Sequence, residues 1–202
     1  MNKNDKFRFL PENLKRAEFI IEKYPKGKQA SAVMPLLDLA QRQNNNWLTP
    51  EAIEYVATIL DMPTIRVFEV ATFYSMFNLS PVGKFHVQVC TNLPCWLRGS
   101  ENIVSVCRKE LAIDIGEVTN DGSFSLVEVE CLGACVNAPM MQINDNYFED
   151  LDTKSTLKIL SNIKNGKKNK FGTQQKRYTC EPYSGLTSLI SQQKLRDRFL
   201  KD

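Results

Sequence analysis

Two pairs of closely spaced cysteines are the residues of this 202-residue sequence whose types and spacing best suit chemistry. Four residues separate Cys90 from Cys95, and three separate Cys131 from Cys135. Each pair begins where a predicted strand runs out into a loop. Two such loops at the same edge of one sheet would bring four thiolates together. The sequence therefore predicts a site built from four sulfur ligands.

Four thiols in two close pairs allow disulfide, redox-dithiol or metal chemistry. Disulfides are disfavoured, because the sequence has no secretory signal and is far longer than the small scaffolds that depend on them. A redox dithiol is disfavoured because neither pair has the two-residue spacing of that motif. Structural zinc and a [2Fe–2S] cluster both remain, since zinc accepts such spacings and the cluster needs two thiolates for each iron. Ligand type and number do not separate these two metals.

The residues around the second pair modestly favour the cluster. Gly133 lets backbone N–H groups approach cluster sulfurs, and apolar packing limits solvent, which tunes a reduction potential. An ordinary turn is the simpler explanation of that glycine. The small or apolar neighbours are Leu132, Gly133, Ala134, Val136, Ala138 and Pro139.

The other candidate residues have simpler explanations. Cys107 lies on the apolar face of a predicted helix, where a buried thiol is expected. Cys180 lies in a polar tail without a cysteine neighbour. His86, the only histidine, alternates with apolar strand residues and is expected at the surface or an interface rather than as a ligand. No catalytic residue is predicted, and neither a G-x-G-x-x-G fingerprint nor a P-loop is present to indicate a nucleotide site.

Helical periodicity dominates residues 1–80. Four short apolar-periodic segments with brief connections predict a small helical bundle. Thr49 and Pro50 form a strong start signal for the third helix. Four aromatic residues near the end of this region are expected to pack in its core rather than to form a binding face: Phe68, Phe73, Tyr74 and Phe77.

From Lys84 the period changes to that of strands. The predicted order is strand 85–90, helix 98–111 with Ser100 as a candidate cap, strand 124–131, a hairpin, and a last helix before Gly166. This α/β layer is compatible with a thioredoxin-like core. The fold class is thus α+β. The predicted domains are a helical bundle at 1–80, the α/β domain at 81–166 and an extended tail at 167–202.

Charge and hydropathy exclude some classes of protein. The net charge of +3 is too small to indicate nucleic-acid binding, and the basic segment 164–177 is expected to be a solvated linker. No apolar run approaches the roughly 18–20 residues of a membrane span. The start has neither a secretory core nor the acid-poor composition of a mitochondrial presequence, so a bacterial-like or already processed chain is expected.

Six segments together resemble the 24 kDa iron–sulfur subunit family of respiratory complex I, the NADH:quinone oxidoreductase of bacteria and mitochondria. The resemblance covers nearly the whole chain and is most specific in the two cysteine segments. The segments are SAVMPLLDLAQRQ, WLTPEAIEYVA, EVATFYSMF, VQVCTNLPCWLRGS, VECLGACVNAPMMQIND and CEPYSGLTSL. The last departs from the family pattern, because Ser184 replaces a glycine, which affects only the local turn.

This resemblance implies a thioredoxin-like [2Fe–2S] ferredoxin domain behind the helical bundle. Cys90, Cys95, Cys131 and Cys135 correspond to the four cluster ligands, whereas Cys180 is not one. The tail is expected to lie against a partner subunit.

The resemblance also implies an electron-transfer subunit of a proton-pumping NADH:quinone oxidoreductase. Its cluster would exchange single electrons with the FMN of a larger flavoprotein subunit, which also binds NADH. The cluster would lie off the main route of electrons to quinone. Other subunits of the peripheral arm would be further partners. The chain itself would have no NADH site, nucleic-acid partner or membrane span. It would act at the cytoplasmic face of a bacterial inner membrane, or on the matrix side in an organelle.

Three alternatives stay open. The first is the equivalent subunit in the diaphorase module of an NAD-linked hydrogenase or formate dehydrogenase. The second is a free thioredoxin-like ferredoxin, which the long helical N-terminus and the tail disfavour. The third is a zinc-stabilised nucleic-acid binder, which the weak net charge disfavours.

Overall fold

A computed structural model describes residues 7–182, 184–185 and 187–188 of the chain. The fold divides into two compact units, Met1–Lys84 and Phe85–Asp202. Within the described ranges, no helix combines the length and apolarity needed to cross a bilayer. The predicted partner-contacting tail is described only in part, because residues 183, 186 and 189–202 fall outside the described residues.

The first unit contains the four predicted helices, each with one apolar face in a common core. Thr49 caps the third helix as predicted, since its side-chain oxygen accepts a hydrogen bond from the Ala52 N–H at 3.1 Å. Leu36, Leu37 and Val67 are among the fully buried side chains. The helices are α1 Pro11–Glu22, α2 Val33–Gln43, α3 Pro50–Ile59 and α4 Thr64–Phe73.

The prediction that all four aromatic residues pack in the core was wrong for two of them. Phe77 is buried and Phe68 packs against the core, but Phe73 is 79% exposed and Tyr74 is 40% exposed. Helix α4 ends at Phe73, and Tyr74 already has an extended backbone, so helical periodicity no longer decides which side these rings face. The two rings instead contact each other edge to face, with centroids 5.0 Å apart.

The second unit alternates strands and helices in the predicted order. Two elements that the sequence did not predict are the short helix after the first strand and the two-residue last strand. The elements are β1 Phe85–Cys90, α5 Leu93–Leu97, α6 Ser100–Leu111, β2 Phe124–Val129, β3 Met141–Ile143, β4 Asn146–Glu149, α7 Thr153–Lys164 and β5 Gly172–Thr173.

One mixed sheet organises this unit, with the strand order β2-β1-β3-β4-β5. Strand β1 is parallel to β2 and antiparallel to β3, β4 is antiparallel to β3, and β5 is parallel to β4. Val87 and Val89 point from β1 into a core that also contains Ile103 of α6 and Leu160 of α7. Helices α6 and α7 therefore cover the sheet, and the thioredoxin-like α/β layer predicted from the sequence is confirmed.

Two local predictions in this unit need correction. The cap of α6 is Gly99, with φ +90°, whereas Ser100 is the first helical residue and its buried hydroxyl has no partner among the described residues. Strand β2 ends at Val129 rather than at Cys131, because Val129 pairs with Cys90, where β1 also ends. Past that register position, none of the described strands pairs with this segment.

The basic segment 164–177 was expected to be a solvated linker, and its second half does not behave as one. It contributes β5, and Thr173 is buried. Arg177 forms a nearly buried ion pair with Asp150. The pairing of β5 with β4 and the ion pair of Arg177 thus hold this part of the segment against the sheet.

Candidate metal centre

The first cysteine pair is buried at the end of β1. Cys90 is the last residue of that strand and is 2% exposed, and Cys95 is 1% exposed. Asn92 caps the intervening helix α5, accepting the Leu93 N–H at 2.8 Å, and Pro94 suits the first turn. Across this short helix, the Cys95 side chain forms a hydrogen bond with that of Cys90.

The second pair lies at the surface, after β2. The Sγ atoms of Cys131 and Cys135 are 3.3 Å apart, and both residues are exposed. Gly133 has φ +82°, a conformation that glycine adopts without strain, and its N–H donates to the Cys131 Sγ at 3.4 Å. The loop therefore folds around one sulfur in the way the sequence analysis anticipated for a cluster loop.

The parallel pairing of β1 and β2 brings the two loops to one edge of the sheet. Cys90 lies opposite Val129 in the register, so both strands end together. The side-chain amide of Asn92 donates to Glu130 at 2.5 Å and joins the loops directly. Cys135 also interacts electrostatically with Cys90 and Cys95 of the buried pair.

The thiols are arranged by twos. Among the residues that the structure describes, no three His, Cys, Asp or Glu side chains are grouped so as to bind one metal ion. The positive observation is the contact within each pair, Cys90 with Cys95 and Cys131 with Cys135. Two pairs of sulfur donors fit the needs of a group with two irons, each of which takes two thiolates.

The protonation chemistry of the thiols also fits a metal group. Burial, followed by the hydrogen bond to Cys90, raises the pKa of Cys95 to about 12. The Gly133 N–H lowers the pKa of Cys131, whereas the hydrogen bond to Cys131 raises that of Cys135. Among these three thiols, the polypeptide alone thus lowers the pKa of Cys131 only. A bound cation would supply the charge that holds the others deprotonated, releasing protons as it binds.

Apolar side chains and one tyrosine support the site. Ala138 and Met140 are buried against Cys90 and Cys95, and the Tyr147 hydroxyl donates to the Leu132 carbonyl at 2.8 Å. Burial raises the pKa of Tyr147, with a smaller contribution from Glu149. Sequence reasoning missed Tyr147, although its position in the hairpin after the cysteine loop was a usable signal.

The remaining candidates lie elsewhere. Cys107 is fully buried on α6, as predicted, and burial raises its pKa to about 12. His86, expected at the surface or an interface rather than as a ligand, is partly buried: its Nδ1 is 2.7 Å from the Ser125 Oγ on the adjacent strand, and burial lowers its pKa. His86 lies near the start of β1, at the opposite end from Cys90.

A thioredoxin-like sheet that carries two pairs of thiols at one edge defines a ferredoxin-type protein. The model of the family described as thioredoxin-like [2Fe–2S] ferredoxin matches residues 17–164. The chain belongs to this family.

Two relatives are similar to this chain over most of its length. An NADH-quinone oxidoreductase subunit of Rickettsia typhi is 59% identical over 162 residues, which cover 80% of this chain and 95% of the relative. The mitochondrial NADH dehydrogenase (ubiquinone) flavoprotein 2 of Dictyostelium discoideum is 50% identical over 189 residues, which cover 94% of this chain and 76% of the relative. The resemblance to a complex I subunit family that the cysteine segments indicated is therefore confirmed.

Solved structures share the fold. The NAD+-reducing [NiFe]-hydrogenase in the air-oxidized state superposes with a TM-score of 0.56 over 64% of this chain, at 21% identity. This chain spans 23% of the hydrogenase chain that it matches. At that level of identity, the likeness concerns the fold alone.

Proposed function

We propose that Cys90, Cys95, Cys131 and Cys135 ligate one [2Fe–2S] cluster, and that the chain is an electron-transfer subunit of an NADH:quinone oxidoreductase of the complex I type. One observation carries the assignment of the ligands. Two thiol pairs, each in internal contact, follow the ends of adjacent parallel strands. The 59% identity to a subunit of an NADH-quinone oxidoreductase supports the assignment of the complex.

The chain contributes ligation and environment. Such a cluster carries single electrons, and ligation, hydrogen bonds to sulfur and burial set its reduction potential. Cys90 and Cys95 hold the inner side in an apolar shell, whereas Cys131 and Cys135 lie at the surface. The Gly133 N–H donates to sulfur and stabilises negative charge there.

The partner is a flavoprotein subunit that binds FMN and NADH. Hydride transfer from NADH requires a cofactor such as a flavin, and this sequence has no dinucleotide fingerprint of its own. Exposed apolar side chains lie on both cysteine loops: Leu93, Trp96, Leu97 and Val136. Apolar exposure of this kind marks a protein contact, and it lies where electrons would cross.

The setting of the chain follows from this partner. The chain would work within the peripheral arm, at the cytoplasmic face of a bacterial inner membrane or on the matrix side in an organelle. Its cluster would exchange electrons with FMN beside the main route to quinone.

Iron and acid-labile sulfide analysis of the purified chain tests the ligand proposal. We expect two irons and two sulfides per chain, with a visible spectrum that bleaches on reduction, because the cluster is a one-electron carrier. A colourless protein with one zinc would contradict the proposal and favour the zinc alternative.

A second candidate is the equivalent subunit in an NAD-linked hydrogenase or formate dehydrogenase. The fold shared with the hydrogenase is compatible with this candidate, whereas the sequence identities favour the quinone-reducing complex. Affinity purification of the chain from its native cell separates the two. We expect an FMN-containing subunit together with quinone-reductase subunits, and co-purification of hydrogenase or formate dehydrogenase subunits instead would support the second candidate.

A further inference from the structure

A nearly buried ion pair joins the C-terminal segment of the described chain to the sheet. Arg177 and Asp150 have side chains that are only 11% and 8% exposed. The Arg177 Nε donates to the Asp150 Oδ2 at 2.9 Å, and its Nη2 donates to Oδ1 at 2.5 Å. The Thr173 hydroxyl also donates to Oδ2, at 2.5 Å. This two-point geometry is specific to a guanidinium facing a carboxylate.

The same guanidinium reaches the exposed cysteine loop. Its Nη2 donates to the Val136 carbonyl at 3.2 Å, and its Nη1 donates to the Glu181 carbonyl at 3.0 Å. Val136 directly follows Cys135 in the sequence. Arg177 therefore connects three parts of the chain, namely the end of β4, the loop of the second thiol pair and residues 177–181.

Asn137 adds a second connection between the same parts. Its side-chain amide donates to the Thr179 carbonyl at 3.0 Å and also to Glu149. The backbone carbonyl of Asn137 accepts a hydrogen bond from the Asp150 N–H at 2.7 Å. Asn137 is 4% exposed and lies two residues after Cys135. The backbone on the C-terminal side of Cys135 is thus held by residues 149–150 and 177–179 in addition to the hydrogen bonds within its own loop.

We propose that Arg177 is a positioning residue for the cluster, and we name the contact set of Arg177 with Asp150, Val136 and Glu181 the C-terminal latch. The proposal rests on the proposed role of Cys135 as a ligand. The latch would hold the Cys135 loop in its ligating conformation, so that residues 172–181 govern how firmly the cluster is retained.

The physical reason lies in the cost of a buried charge. A buried guanidinium must use its donors, and here a carboxylate and two backbone carbonyls take them. Removal of Arg177 would leave the Asp150 carboxylate uncompensated and the Val136 carbonyl without this donor. The loop would then relax towards solvent. Contacts that orient a metal ligand in this way have large effects on affinity, although they never touch the metal.

The test compares variants of the full chain with its cluster loaded. The rate of cluster loss to an iron chelator is measured from the fall in visible absorbance. For Arg177→Met we expect this rate to exceed that of the wild type by roughly 10- to 100-fold. Arg177→Lys should recover part of this loss, because it keeps the charge but not the two-point contact. Asp150→Asn should resemble Arg177→Met. The EPR spectrum and midpoint potential of the reduced cluster should shift in Arg177→Met.

A matched control is available in the same unit. Lys164 of α7 donates to the Glu110 side chain at 2.9 Å and to the Glu110 backbone carbonyl at 2.5 Å. Like Arg177, Lys164 therefore combines an ion pair with a hydrogen bond to a backbone carbonyl. Lys164→Met should leave the rate of cluster loss and the EPR spectrum at their wild-type values. Circular dichroism of each variant verifies that the unit remains folded.

The outcomes separate the latch from the proposed function. Equal loss rates and spectra in Arg177→Met and wild type would overturn the latch while leaving the ligand assignment intact. An equal acceleration in Lys164→Met would also overturn it, since general destabilisation would then explain the effect. A wild-type chain without iron and sulfide would overturn the proposed function, and the latch with it.

Discussion

Gly133 connects backbone conformation to sulfur chemistry at the exposed thiol pair. Its positive φ directs the N–H towards the Cys131 Sγ, and that hydrogen bond is the largest cause of the lowered pKa of Cys131. Apart from Gly133 itself and its two chain neighbours, no described residue has a heavy atom within 4 Å of the position that a Cβ on Gly133 would occupy. A substitution there would therefore act through conformation and not through a clash.

The change Gly133→Ala tests this role. We expect the free energy of unfolding of the apo chain to fall by about 1 kcal/mol, the lower end of the cost of a left-handed non-glycine residue. The visible and EPR spectra of the cluster should also change, because the donor to sulfur moves. Gly116→Ala is the matched control, since Gly116 also has a positive φ and open space around it. It should destabilise to a similar extent without changing the spectra, and identical spectra for both variants would contradict the role of Gly133.

At the residue scale, local pattern predicted the thiols but not the residues that hold them in place. The spacing of the cysteines and their position after strands are visible in the sequence, so two contacting pairs of thiols at the ends of neighbouring strands were predictable. Arg177 and Asp150 are 27 residues apart in the chain, and nothing local indicates that they pair. Arg177 was instead assigned to a solvated linker, because its basic neighbours dominate the composition of that segment.

At the element scale, helix α7 begins with a complete capping box. The Asp152 carboxylate accepts the Ser155 N–H at 2.7 Å, and the Ser155 hydroxyl accepts the Asp152 N–H at 2.9 Å. The same Ser155 hydrogen bond is the main cause of the lowered pKa of Asp152. Because α7 covers the sheet that carries Cys90, the cap supports the site through the fold.

The change Asp152→Ala should reduce the free energy of unfolding by about 1 kcal/mol at neutral pH, as for other caps of this type. The pKa of Asp152 is lower in the folded state than its ordinary value of 3.8. The stabilisation of the folded state by the Asp152 carboxylate is therefore complete at pH values above 3.8, and it is lost as the pH falls through the pKa of Asp152 in the folded state. Chemical denaturation at several pH values measures both effects.

Asp152→Asn is the control for this prediction, because asparagine caps helices about as well as aspartate. It should keep most of the stability at neutral pH and lose the pH-dependent part. A loss in Asp152→Asn equal to that in Asp152→Ala would show that charge, rather than capping, stabilises this helix.

Periodicity predicted the long elements and failed on the short ones. The four helices of the first unit and the helices α6 and α7 each extend over ten or more residues, enough for an apolar face to repeat. Helix α5 has five residues, too few for a repeat, and only the Asn92 cap and Pro94 indicate it. Strand β5 has two residues and forms through pairing with β4, so its own sequence carries no signal.

At the scale of the whole molecule, the chain joins a helical unit to an electron-carrying unit without a nucleotide fingerprint. The cluster-loaded chain alone should therefore not oxidise NADH, which requires hydride chemistry from a flavin. Addition of the FMN-containing partner should allow NADH to reduce the cluster, visible as bleaching of its absorbance. NADH oxidation by the isolated chain would contradict this division of labour.

The most direct test of the four-thiolate centre is a comparison of cysteine-to-serine variants by iron and acid-labile sulfide content and by EPR of the reduced protein. Replacement of any of Cys90, Cys95, Cys131 or Cys135 should abolish the cluster or alter its spectrum, because each removes a thiolate ligand. Cys107→Ser and Cys180→Ser should retain two irons and two sulfides per chain with the wild-type spectrum. Equal iron loss in Cys131→Ser and Cys107→Ser would contradict the assignment of the ligands.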